Sequence, residues 1–191
     1  MMTLVPRAAA RFLTIALCIS VTTMANAADQ ARKVTVGEPF PRLEGDLLSG
    51  KPAALPELAE GHVAIVALGF SYDARFAVEA WEKWFAQALG PTSGVSFYQV
   101  PMMGRAARMG RFFIDRGMRK NTPKEAQEHV LTVYSDTGPW KTLAGYQDAR
   151  GKDAYLYLLG ADGVVKWQHT GQFDERAAAG LKAAIESLTR E

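Results

Sequence analysis

Sulfur is the first place to look for chemistry, and this 191-residue chain holds a single cysteine, Cys18. Thiol–disulfide exchange needs a thiolate that attacks a disulfide, and a thiolate zinc site needs several sulfurs. Cys18 falls within the first 27 residues, so everything after them lacks a thiol. Cysteine nucleophiles, redox dithiols and thiolate metal sites are excluded there. The three histidines, His62, His129 and His169, stand far apart. Met102, Met103, Met109 and Met118 share a region with His129, but without the tight Met-x-His spacing that suits copper. Methionine is a common core filler. Neither a nucleophile elbow nor a glycine-rich phosphate loop is present. The expectation is a chain with no catalytic residues, no metal and no cofactor.

Two clusters remain. Phe70-Ser71-Tyr72-Asp73-Ala74-Arg75 stands where an apolar run gives way to helical spacing. Backbone N–H groups at such a start favour an anion or carboxylate. Tyr72 would frame that position, and Arg75 lies about one turn in. The plainer reading is a Ser71 cap, an Asp73 that complements the helix dipole and a solvated Arg75. The second cluster is basic. Arg105, Arg108, Arg111, Arg116, Arg119, Lys120 and Lys124 fall within 20 residues, with Asp115 the only acid before Glu125. Met109, Phe112, Phe113 and Met118 are interleaved. Such a surface suits anionic lipid headgroups or an acidic partner. The alternative is a crossover helix with a solvated basic face and its Phe and Met in the core.

The elements that must position these clusters follow from hydrophobic periodicity. His62 to Gly69 is a continuous apolar run, the pattern of a strand buried on both faces. Phe76, Ala77, Ala80, Trp81, Trp84, Phe85 and Ala88 recur at helical spacing up to Leu89, where Gly90-Pro91 stops the helix. Val95 to Val100 is the next strand. Gly104 to Arg116 reads as a helix stopped by Gly117. Thr122-Pro123-Lys124-Glu125 has the form of a capping box with proline at the first helical position. Val130 to Tyr134 is a strand, and Trp140 to Leu143 a helical turn. Ala154 to Leu159 and Val164 to Gln168 flank Ala161-Asp162-Gly163, a hairpin signal. A helix from about Asp174 to Leu188 closes the chain. Earlier on, Leu43 to Leu48 is extended, Ser49 to Pro52 a turn, and Leu55 to Leu58 one helical turn. Strand–helix alternation requires a partly parallel sheet with right-handed crossovers. The fold class is α/β, a three-layer α/β/α sandwich with a mixed sheet and a C-terminal β-hairpin plus helix.

The N-terminus carries an address. Arg7 and Arg11 precede an apolar stretch from Phe12 to Val21, and Ala25-Asn26-Ala27 is an A-x-A cleavage pattern. These are the parts of a secretory signal, and the stretch is about half the ~20 residues that span a bilayer. Residues 1–27 are expected to be a cleaved signal peptide, or else an uncleaved anchor. Residues 28–36 would be a flexible lead-in and 37–191 the domain, periplasmic or secreted. The chain has 22 basic and 20 acidic residues; without Arg7 and Arg11 the remainder balances 20 to 20. That neutrality argues against a nucleic-acid partner.

The element order resembles the thioredoxin-like, redoxin kind of protein. Gly37-Glu38-Pro39-Phe40-Pro41 resembles the lead-in of its exported members. HVAIVALGFSYDAR resembles their first buried strand running into the catalytic helix, and YLYLLGADGVVKWQHTG their last hairpin. In those enzymes the strand leads to a CxxC pair or a peroxidatic cysteine; here Phe70-Ser71-Tyr72-Asp73-Ala74-Arg75 occupies that place. Lys152-Asp153-Ala154 stands where a cis-proline usually precedes the hairpin. Phe70-Ser71, Ala80-Trp81 and the stretch Arg111 to Arg119 are similar to bacterial relatives of the mitochondrial ATP synthase assembly factor, the tenth assembly protein of that complex. The resemblance implies a redox-inactive module that binds a protein or peptide in an assembly or chaperone role. Its face would combine Ser71, Tyr72, Asp73 and Arg75 with Asp153. The alternative is a small-ligand- or metal-binding protein, or a non-thiol enzyme, on the same scaffold. The sequence does not specify an oligomeric state.

Overall fold

The computed structural model describes residues 33–90 and 93–190. The signal-peptide reading, Cys18 and Pro91 lie outside the described residues. β3 (Val63–Gly69) is the centre of the domain, and six of its seven residues are buried. It pairs in parallel with β4 (Val95–Pro101) and antiparallel with β6 (Ala154–Leu159), which pairs antiparallel with β7 (Val165–Gly171). A parallel pair needs a crossover, supplied by α1 (Ala74–Ala88). The apolar run without alternation is thus explained by burial on both faces. Ala64, Val66 and Leu68 enter one core, while Ile65 and Ala67 enter the other. Asp162-Gly163 turns the hairpin, with Gly163 at φ +71°, where a side chain is strained.

The first core lies beneath β1 (Leu43–Leu47), β2 (Pro52–Leu55) and α3 (Gly138–Ala144), with Leu43, Leu55, Phe40 and Trp140 packed together. The second joins α1 to α4 (Glu175–Leu188) through Trp81, Leu181 and Ile185. Asp174 caps α4 by accepting the Ala177 N–H at 2.8 Å, at the start the sequence marks. A three-stranded unit, β2-β1-β5, holds the short β5 (Leu131–Thr132) antiparallel to β1. Parallel bridges Gln99↔Val130 and Met102↔Val133 join this segment to β4. Gly45 is required in β1, because a Cβ there would sit 2.7 Å from the Thr132 carbonyl oxygen. The lead-in is docked at its end: Val34 is buried and its N–H donates to Leu143 O at 2.9 Å.

The structure revises several boundaries. Residues read as one helix ending at Gly117 divide into a 3-10 turn (Arg105–Gly110) and α2 (Arg111–Asn121), which runs through Gly117. A helix-interior glycine costs only about 1 kcal/mol, and contacts of Asp115 with Arg111 and Arg119 span that segment. The capping box does not form. Thr122 instead ends α2 in an extended conformation, and only a 3-10 turn (Glu125–His129) fits before β5. Gln127 Nε2 donates to Thr122 O at 3.0 Å and to Arg119 O at 3.4 Å, so it serves the end of α2. β2 carries no strand signal in the sequence, because Pro-Ala-Ala-Leu has no β-branched residue.

Candidate functional site

The start of α1 is fixed by Ser71. Its Oγ accepts the Ala74 N–H at 3.1 Å and donates its own proton to Gly151 O at 2.6 Å. One hydroxyl therefore caps the helix and ties it to the loop that feeds β6. That loop carries a 3-10 turn, Asp148–Arg150. Between the helix start and the loop lies an open cleft of about 550 Å³, lined by Ser71, Tyr72 and Asp73 and by residues 148–153. Of the residues singled out in the sequence, Ser71, Tyr72, Asp73 and Asp153 converge here.

Arg75 does not join them in the lining. Its guanidinium stacks 3.9 Å from the Tyr72 ring centroid and 4.4 Å from that of Phe76. Tyr72 is 74% exposed and Phe76 55%. Phe76 shares the helical spacing of the apolar residues of α1 but not their burial. At 100° per residue it lies about 150° from the centre of the buried set Ala74, Ala77, Val78 and Trp81. The result is an exposed aromatic–cation–aromatic stack beside the cleft.

The cleft walls are held by ion pairs. Lys152 Nζ lies 3.2 Å from Asp73 Oδ2, which joins the loop to the helix start. Arg150 Nε donates to Asp153 at 2.7 Å, and a second guanidinium nitrogen of Arg150 donates to Thr170 O. Gln172 Nε2 donates to Lys152 O at 2.7 Å and to Asp153 Oδ1 at 3.2 Å. Asp153 is thus a loop fastener as much as a wall. Below it, Phe70 meets Tyr146 and Tyr155 edge-on, with centroids 5.4 and 5.2 Å away. Sequence reasoning missed Asp148 and Arg150, which lie in a loop with no periodicity to mark them.

The basic stretch is not one surface. Arg111 turns inward, 2.9 Å from Asp46 and 3.2 Å from Asp115, and Arg119 Nε donates to Leu48 O at 2.6 Å. Tyr134 donates to Asp115 at 2.6 Å; burial, then this bond, pushes the phenol pKa up. Arg105 makes only a long contact with Asp136, at 3.9 Å. Arg108, Arg116 and Lys120 point to solvent. Among the described residues, no three His, Cys, Asp or Glu side chains gather where a metal could sit.

No protein-family model matches the sequence, and no curated protein matches it either. Solved structures do. A thiol:disulfide interchange protein DsbE, described as putative, from Chlorobium tepidum matches with a TM-score of 0.52 at 18% identity, over 80% of this chain and 99% of its own. The thioredoxin domain of a thiol-disulfide oxidoreductase from Bacteroides vulgatus matches with a TM-score of 0.55 at 14% identity, over 80% and 99%. BsSco, a member of the Sco family of cytochrome c oxidase assembly proteins, matches with a TM-score of 0.51 at 15% identity, over 82% and 98%. The fold is thioredoxin-like. At these identities the likeness carries the fold alone and does not reach the narrower resemblance to the ATP synthase assembly factor.

Proposed function

We propose that this chain is an exported, redox-inactive thioredoxin-like module that binds a segment of a partner protein at the cleft between the start of α1 and the loop before β6. The observation that carries this reading is Ser71. By the resemblance, Ser71 lies in the stretch where a redoxin carries sulfur, and its hydroxyl donates its proton to Gly151 O at 2.6 Å. It cannot carry electrons. The single cysteine of the chain, Cys18, precedes the domain.

What the face offers is binding chemistry. The exposed Tyr72–Arg75–Phe76 stack supplies flat apolar area next to a fixed cation, the residue types that dominate interface energetics. The cleft beside it has three carboxylates, Asp73, Asp148 and Asp153, and two cations, Arg150 and Lys152. Its loop is fastened by Gln172 and Arg150, so little ordering remains to oppose association. Export is supported by Ala25-Asn26-Ala27, and N-terminal sequencing of the secreted fraction is expected to begin at Ala28.

The test is site-specific photo-crosslinking in the producing cell, with the photoreactive residue at position 72 and a control at the exposed Lys182 of α4. A discrete crosslinked protein is expected from position 72 alone, lost when Arg75→Ala and Phe76→Ala are added. Equal products from both positions would reject the face. Turnover of a disulfide or peroxide by the purified domain would reject the redox-inactive half.

A further inference from the structure

We infer that the outer face of α2, with the 3-10 turn before it, is a docking surface for an anionic phospholipid bilayer, independent of the cleft. The inner side of α2 is mixed, with half-buried Ile114 and Met118 beside charged residues. Its inward line is Arg111, Asp115 and Arg119, at four-residue spacing, with Asp115 buried. Its outward lines are Phe112, Arg116 and Lys120, and beside them Phe113, Gly117 and Asn121. Phe112 is 66% exposed, Phe113 75%, and Met109 on the preceding turn 98%. The two phenylalanine rings meet edge-on at 5.5 Å. Three bulky apolar side chains, two on α2 and one on the turn before it, are thus left in water while the buried position of α2 is given to Asp115.

The charge around them has one sign. A groove of about 1070 Å³ beside Phe113 is lined by Arg116, Arg119, Lys120 and Lys124, with Ser49, Thr122 and Gln127 and no carboxylate. Arg108, Arg116, Lys120 and Lys124 have no ion-pair partner among the described residues. Cations around protruding aromatics complement anionic headgroups above an acyl layer. The exposed apolar side chains project into solvent, and a fluid bilayer receives such projections without a preformed pocket. No helix among the described residues is long and apolar enough to cross a membrane. The groove would seat a phosphate headgroup while Met109, Phe112 and Phe113 enter the interface.

The experiment is flotation of the full chain with vesicles of phosphatidylglycerol and phosphatidylcholine, against phosphatidylcholine alone, at low and high salt. Variants R116E/K120E and F112S/F113S are compared with R176E/K182E, which makes the same charge change on α4. The N-terminal segment is common to all, so differences between variants report on the patch. R116E/K120E is expected to lose about tenfold or more of the binding to anionic vesicles. F112S/F113S is expected to leave a residual binding that high salt abolishes. R176E/K182E should bind like the unmodified chain, and all variants should keep its thermal midpoint within a few degrees. Equal losses in R116E/K120E and R176E/K182E would reduce the effect to net charge and overturn the inference. So would unchanged flotation by both patch variants, and so would unchanged flotation with patch-dependent capture of an acidic protein.

Discussion

Removing the Asp115 carboxylate is the sharpest test of how α2 is held. Asp115 has a side chain only 6% exposed, facing Tyr134 OH at 2.6 Å and Arg111 Nε at 3.2 Å, with Arg119 at 3.9 Å. Asp115→Ala strips the buried phenol of its acceptor, which costs roughly 1–3 kcal/mol. The two arginines lose their common partner as well. Each is 38% exposed, so water compensates them and their share is about 1 kcal/mol rather than the 3–5 of a fully buried pair. The expected loss is about 3 kcal/mol, or roughly 6–12 °C in Tm for a domain of this size. Asp115→Asn keeps an acceptor for Tyr134 and should lose only about 1 kcal/mol. Urea unfolding followed by tryptophan fluorescence measures both, and a cycle with Tyr134→Phe should show coupling of at least about 0.5 kcal/mol. An Asp115→Ala loss below about 1 kcal/mol would refute the assignment of this network as the anchor of α2.

Three further outcomes are expected. Ser71→Cys with Ala74→Cys should close an intramolecular disulfide on mild oxidation, with the thiol at position 71 acidified by the helix start; thiol counting before and after reduction reads it, and two persistently free thiols would place this segment elsewhere than the redoxin site. Gly45→Ala should cost about 1–3 kcal/mol in denaturant unfolding, since its Cβ meets backbone at 2.7 Å and β1 must move off β5; an unchanged midpoint would contradict that register. His169, stacked on Trp167 with Nε2 buried and unpartnered, has its pKa lowered chiefly by burial. The unfolded chain then binds the proton more readily, so the stability from neutral His169 is complete above about pH 6.5 and is lost as pH falls towards its folded pKa. Unfolding free energies measured at stepped pH should show this fall, and His169→Gln should flatten it.

The chain's elements were legible where one physical force decided them. β3 was visible because burial on both faces demands an unbroken apolar run, and the β6–β7 hairpin because Asp162-Gly163 supplies the positive φ its turn needs. The failures fall where tertiary contacts overrode local signals. Thr122 and Pro123 looked like a helix start, yet the chain has only a short turn's length before β5 must pair with β1. Phe76 belongs to the apolar spacing of α1, yet its angle places it outside the buried set. Nearly half of the candidate site, residues 148–151, has no mark in the sequence because a loop's lining side chains obey no period. The basic stretch misled in another way: residue type shows seven cations, but only the paired geometry separates the inward Arg111 and Arg119 from the outward ones.

That separation also bears on why the two exposed aromatic groups are built differently. Around the cleft, Tyr72 and Phe76 are braced by a cation between them, and the loop opposite is fastened by side-chain bonds to its backbone. A fixed surface of that kind loses little entropy on meeting a partner of definite shape, which is where selectivity is gained. Around α2 the order is reversed. The bracing is inside, in the Asp115 network, and Phe112, Phe113 and Met109 are left largely exposed. Such side chains discriminate little between shapes but gain from any apolar medium that can receive them, provided its surface charge is negative. If both faces acted on the same kind of partner, substitutions in one should weaken crosslinking at position 72 and flotation alike. The separate construction of the two faces requires instead that Arg75→Ala with Phe76→Ala spare flotation and that F112S/F113S spare the crosslink.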